Sequence, residues 1–213
     1  LKMELDTEQK KETIKTVYYD QHKILDSIIK LYLTDNIEVD LTYGNGSFYK
    51  KGIPQPENRF DLDDTLKNLT KVCSSTNTEL NENTIRSVIF DPPFLTWIRK
   101  NRTGNNNMIM ARRFAGYLKL DELKEHYTST IEEVARIMKH KGIFIFKCQD
   151  IIHNHKLFST HIEIVKWAEK HFRLKDLFIQ VAKNRLPMSN KKGTQKHART
   201  YHCYWLVLER WRK

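Results

Sequence analysis

The chain has 213 residues, a formal net charge of +11, and a composition that is 39% hydrophobic and 11% aromatic. That apolar content excludes a disordered chain, the length suffices for one sizeable core, and no apolar run approaches the roughly 18 residues that would suggest a membrane span. Cys73, Cys148 and Cys203 show no C-x-x-C spacing and the start carries no signal-peptide pattern, so a reducing, cytoplasmic setting is expected rather than a disulfide scaffold; a start at Leu1 is what a trimmed piece would show.

In chain order, residues 4–19 are charged with scattered apolar positions and predict a helix, and a second helix follows over 23–33 with Ile24, Ile28 and Leu31 on one face. Short strands are expected near Glu38, Phe60 and Val72, and Ser87-Val88-Ile89-Phe90 forms another. Over 120–139, Leu123, Tyr127, Ile131, Val134 and Met138 recur at helical spacing, and Lys141-Gly142 closes that helix. Residues 143–146 read as a buried strand and 158–171 as a helix with Ile162, Val165 and Ala168 inward. Segments 174–181 and 201–208 complete the set as strands. Strands alternating with helices predict a mostly parallel sheet covered on both faces, with any ligand outside the carboxyl ends of the strands.

The strand ending at Phe90 runs straight into Asp91-Pro92-Pro93-Phe94. Proline fixes its own φ and lacks an N–H, and a residue before proline is pushed to extended geometry, so Asp91 and Pro92 are held in a stiff turn. Such a turn presents a carboxylate, backbone carbonyls and an aromatic face together. These are the groups needed to grip an exocyclic amine, whose lone pair is delocalised into its ring until two acceptors draw the nitrogen toward tetrahedral geometry. Phe94 would stack on the base. The bland reading is that Pro-Pro ends a strand and Phe94 fills the core. Upstream, Ile37-Glu38-Val39-Asp40 leads into Leu41-Thr42-Tyr43-Gly44-Asn45-Gly46, which places two of the seven glycines where a backbone could approach a ligand closely.

Asp-Leu-Thr-Tyr-Gly-Asn-Gly followed by Asp-Pro-Pro-Phe resembles the cofactor and catalytic loops of S-adenosylmethionine-dependent DNA amino-methyltransferases of the adenine-N6/cytosine-N4 type, in their small stand-alone phage and prokaryotic form. The segment from Tyr18-Tyr19-Asp20-Gln21, the segment from Gly142 to Asp150, and the closing 174–209 resemble further parts of that family. The resemblance implies a Rossmann-like class I methyltransferase fold, α/β, with a mostly parallel seven-stranded sheet, an antiparallel last strand and helices on both faces. It implies Asp91, Pro92, Pro93 and Phe94 as the catalytic turn. S-adenosyl-L-methionine would be held by Tyr19, Gln21, Asp40, Thr42, Gly44, Gly46 and Asp61, with Asp61 taking the ribose hydroxyls unless Asp63 or Asp64 replaces it. One departure is visible: the family often has an acid beside the adenine ring after the third strand, where Val72-Cys73-Ser74-Ser75 offers hydroxyls.

Charge placement extends this reading. No acid occurs between Pro92 and Leu120 or between Leu177 and Leu208, and both stretches are rich in Lys and Arg. Basic loops over 97–119 and 185–199 are therefore expected to contact phosphates through Arg112, Arg113, Lys191, Lys192, Lys196 and Arg199. The chain is expected to be a single catalytic domain over 1–213 with no separate target-recognition domain, acting on DNA in preference to RNA, as monomer or homodimer, with no membrane partner. His153, His155 and His161 complete no metal-ligand set, so no metal is expected. His197 and His202 are read as phosphate contacts or packing, Trp97 as a target-side contact, and Lys147, Gln149 and Asp150 either as lining of the base pocket or as a salt-bridged strand end.

Overall fold

The computed structural model describes residues 13–96, 117, 119–184 and 195–211. Ten strands and three helices occur among them: β1 (Val17–Tyr18), α1 (Gln21–Tyr32), β2 (Val39–Asp40), β3 (Asn58–Asp61), β4 (Lys71–Val72), β5 (Ile85–Phe90), α2 (Leu120–Ile137), β6 (Met138–Cys148), β7 (Ile151–His153), β8 (Lys156–Phe158), α3 (Thr160–Ala168), β9 (Phe172–Val181) and β10 (His202–Arg210). Eight strands form one sheet in the order β1-β9-β10-β6-β5-β2-β3-β4. The pairs β2–β3, β2–β5, β3–β4 and β5–β6 are parallel, whereas β10 runs antiparallel to both β6 and β9.

This is the expected α/β layout with one strand more than the seven anticipated. The extra strand is β1, parallel to β9 at the sheet edge (Val17↔Ile179), where a helix was expected up to residue 19; residues 1–12 of that expected helix lie outside the described residues. The Ile179 N–H donates to the Thr16 carbonyl at 2.7 Å, so the backbone there is satisfied by the sheet.

Side chains alternate across the central strands and so build two cores. Phe144, Phe146, Cys148, Leu206 and Leu208 pack on one face with Leu123, Tyr127, Ile131 and Val134 of α2 and Ile164 and Ala168 of α3. Ile143, Ile145, Trp205 and Val207 pack on the other with Ile24, Leu25 and Ile28 of α1 and with Tyr43, Phe48 and Tyr49. Two inward residues were misread: Leu31 is 47% exposed and Ile162 is 46% exposed, and Leu25 and Ile164 take the buried places.

The helix expected to run to residue 139 ends at Ile137, because Met138 already pairs with Ile85 of β5. The register then shifts so that Ile143 meets Ser87, and Lys141 takes a positive φ of 65° within the excursion between them. An additional hairpin, β7–β8, was not expected; Asn154 and His155 form its turn, both with positive φ. Among the described residues no helix is long and apolar enough to cross a membrane.

Candidate active site

β5 stops at Phe90, since Pro92 and Pro93 cannot extend a ladder, and Asp91 emerges at its carboxyl end. On one side lies β2, whose Asp40 pairs with Ile89; on the other lies β6, whose Phe146 pairs with Phe90. The two segments singled out in the sequence therefore open from neighbouring strand ends.

Thr42 joins them. Its backbone N–H donates to Asp40 Oδ1 at 2.8 Å, and its Oγ1 accepts the backbone N–H of Asp91 at 2.7 Å. Asp40 is fully buried and also accepts from the Tyr49 hydroxyl at 2.7 Å. Burial pushes the Asp40 carboxyl up to about 7, against the lowering effect of those two donors, and the nearby charges of Asp91 and Asp61 push the same way. Burial likewise raises the Tyr49 hydroxyl.

The glycine turn is held from β3. The Gly44 N–H donates to Asp61 Oδ2 at 2.9 Å, and Asp61 Oδ1 accepts from the Asp63 N–H at 3.1 Å. Gly44 has φ +56°, and a Cβ there would meet nothing nearer than 4.0 Å, so the loop is open on that side. Gly46 has φ +66° and is needed for a different reason: a Cβ would lie 2.6 Å from the Tyr43 hydroxyl.

The start of α1 clasps this turn. Asp20 caps the helix by accepting the His22 N–H at 3.0 Å; its pairing with Lys51 at 2.6 Å and the His22 ring at 2.8 Å hold its carboxyl well below the usual range. The His22 ring lies 3.0 Å from the Ser47 carbonyl, and Gln21 Nε2 donates to the same oxygen at 3.4 Å. Tyr19 stands apart, 62% exposed, with the Lys183 ammonium over its ring.

At the Asp91-Pro92-Pro93-Phe94 turn, the Lys147 ammonium of β6 lies 2.9 Å from Asp91 Oδ2. Lys147 is thus ion-paired at a strand end, and its partner is the candidate catalytic acid itself. Tyr127 of α2 donates to the Pro93 carbonyl at 2.9 Å. Thr96 bridges Tyr117, whose N–H donates to the Leu95 carbonyl, so the chain returns beside Phe94 after residues 97–116.

Other sequence candidates are used structurally. Ser75 is buried against His126 and Thr130 at 2.8 Å each, and Ser74 lies 2.8 Å from Thr76. Gln149 donates to the His202 carbonyl at 2.6 Å, while Asp150 lies 2.7 Å from His161, whose ring stacks on Tyr204. Lys196 is exposed, and the Arg199 guanidinium lies 5.6 Å from the Tyr201 ring. Trp97, Arg112, Arg113, Lys191 and Lys192 lie outside the described residues, as does most of both basic loops. The sequence gives Tyr49, Phe48, Tyr127 and Trp205 no role at the site; only Phe48 and Tyr49 lie near enough in the chain to the glycine turn for the motif to suggest one.

Three carboxylates, Asp40, Asp61 and Asp91, thus converge at the ends of β2, β3 and β5 in a chain of net charge +11.

No protein-family model and no curated protein matches the chain. Among solved structures, a chain in a complex of a Haloferax volcanii methyltransferase with a methyltransferase activator has a TM-score of 0.51 at 12% identity, over 88% of this chain and 88% of that one. A SAM-dependent methyltransferase of Methanosarcina mazei has a TM-score of 0.49 at 10% identity, over 87% of this chain and 98% of that one. A Thermus thermophilus protein described as a DNA modification methylase has a TM-score of 0.46 at 14% identity; the match covers 73% of this chain and only 55% of that one. The fold is that of the Rossmann-like class I methyltransferases.

Proposed function

We propose that the chain binds S-adenosyl-L-methionine and transfers its methyl group to the exocyclic amine of a base in DNA, with adenine N6 as the leading target. The observation that carries this reading is the Thr42 bridge, which ties the glycine turn to the backbone of Asp91 through a 2.7 Å bond. Asp40, Thr42, Gly44, Gly46 and Asp61 would hold the cofactor, with Gln21 and Tyr19 from the start of α1. This ligand carries a sulfonium and an ammonium. When bound, it supplies an electrophilic methyl group.

The chain's own residues prepare the acceptor. Asp91 and the Pro92 carbonyl accept the two N–H groups of the amine and draw its nitrogen out of conjugation, which frees the lone pair. The Pro93 carbonyl accepts from the Tyr127 hydroxyl at 2.9 Å. Phe94 stacks on the extruded base. The basic segments 97–119 and 185–199 supply phosphate contacts. The Asp form of the turn favours adenine in the family it resembles.

The test is methyl transfer from labelled cofactor to unmodified duplex DNA and to rRNA. Asp91→Ala is expected to lower transfer by at least roughly 100-fold while cofactor affinity stays near that of the parent; Phe94→Ala is expected to weaken base capture. Transfer to RNA alone would replace DNA as the substrate, and cofactor binding without transfer to either would leave a nucleic-acid-binding module of the same fold. Normal turnover by the Asp91 variant would refute the assignment.

A further inference from the structure

Lys147 is placed where stability gives no reason for an ammonium. Its side chain is 11% exposed, its Nζ lies 2.9 Å from Asp91 Oδ2, and the ring centres of Phe48, Trp205 and Phe94 lie 5.0, 5.2 and 6.0 Å from it. A largely buried ion pair adds little over an apolar pair of the same shape. The ammonium does, however, border the space between Asp91 and Phe94, the two groups to which the proposed function gives the target amine and the target ring.

The chemistry of the bases supplies the role. Adenine and cytosine each carry, next to the exocyclic amine, a ring nitrogen with a free lone pair: N1 of adenine and N3 of cytosine. Guanine carries an N1–H beside its amine. With Asp91 Oδ2 taken by Lys147, Oδ1 remains to accept from the amine, and the ammonium beside it is a donor for the adjacent ring nitrogen. Reading an extruded base along this edge is how such pockets choose among bases.

We propose that Lys147 determines base specificity by donating a hydrogen bond to the ring nitrogen beside the target amine. The Asp91–Lys147 pair then reads a donor next to an acceptor, admits adenine or cytosine, and rejects guanine presented by its Watson–Crick edge, where N1–H would point at the ammonium. This inference rests on the methyltransferase reading above.

The test compares oligonucleotides carrying adenine, 1-deazaadenine or 7-deazaadenine at the target position, with cytosine and 3-deazacytosine as the parallel pair if cytosine is the base methylated. Loss of the ring nitrogen beside the amine is expected to lower kcat/KM roughly tenfold to a hundredfold, whereas 7-deazaadenine stays near the adenine value. Binding of the same oligonucleotides in the presence of S-adenosylhomocysteine should weaken in the same order. Lys147→Met should lower the adenine value and erase the difference, Lys147→Arg should retain it, and unchanged S-adenosylhomocysteine affinity would show that both variants fold. Changes in intrinsic amine reactivity are common to all three proteins and cancel in this comparison.

Equal rates of the parent on adenine and 1-deazaadenine, with no loss on 3-deazacytosine if cytosine is the target, would overturn the proposal, as would an equal penalty in parent and Met variant. Absence of transfer to any unmodified oligonucleotide would instead sink the methyltransferase reading, and this inference with it.

Discussion

Asp40 is a carboxyl that folding removes from water before anything binds. Its ordinary value of 3.8 is pushed to about 7, chiefly by burial. Between those limits the folded chain holds a proton that the unfolded chain releases, so this group lowers stability as pH rises from about 4 to 7 and adds no further dependence above. The contribution is at most about 4 kcal/mol. An amide at the same place cannot ionise, and the Tyr49 hydroxyl can turn to accept from it. Asp40→Asn is therefore expected to flatten the stability profile between pH 5 and 8 and to exceed the parent at pH 8, measured by urea denaturation at each pH. A parent-like slope in the variant would assign the dependence to other groups.

At the scale of elements, each part of the site is short and depends on its neighbours. β2 has two residues, and β3 and β5 on either side fix where it ends. The glycine turn that follows is bound by Asp61 from β3 and by Thr42 to the turn that begins at Asp91. Gly46→Ala would combine a strained positive φ with a Cβ 2.6 Å from the Tyr43 hydroxyl. A loss of about 1–3 kcal/mol in denaturant unfolding is expected, together with weaker cofactor binding by calorimetry. Gly52→Ala is the control: its φ is +87°, but a Cβ there meets nothing within 4 Å, so it should cost less and leave the site unchanged. The helices show where sequence periodicity succeeds. In α2, Leu123, Tyr127, Ile131 and Val134 fall on the buried face as their spacing predicts. In α3 a nine-residue helix has too few turns for its pattern to distinguish Ile162 from Ile164.

Across the whole molecule the net charge is +11, and the stretch from Pro92 to Leu120 carries no acid. The Thr96–Tyr117 bridge brings the two ends of the intervening basic segment together. Replacing residues 98–115 with a Gly-Ser pair should therefore preserve the melting temperature and cofactor binding. The same replacement removes Arg99, Lys100, Arg102, Arg112 and Arg113, so DNA affinity and the steepness of its salt dependence are both expected to fall, by about one unit of slope for each phosphate no longer neutralised. An unchanged salt slope would show that this segment does not touch phosphate.

The sequence by itself determined the alternation of strands and helices, the stiff Asp91-Pro92-Pro93-Phe94 turn and the glycine turn after Asp40, because periodicity, proline and glycine act within a few residues. Only the tertiary structure decided that β1 joins the sheet edge, that Thr42 binds the two loops together, that Tyr49 and burial set the state of Asp40, and that Lys147 pairs with Asp91. Those outcomes depend on groups far apart in the chain, 56 residues for Lys147 and Asp91 and more for Val17 and Ile179, brought together by sheet order, and sheet order is settled by which faces bury together rather than by any local run of residues.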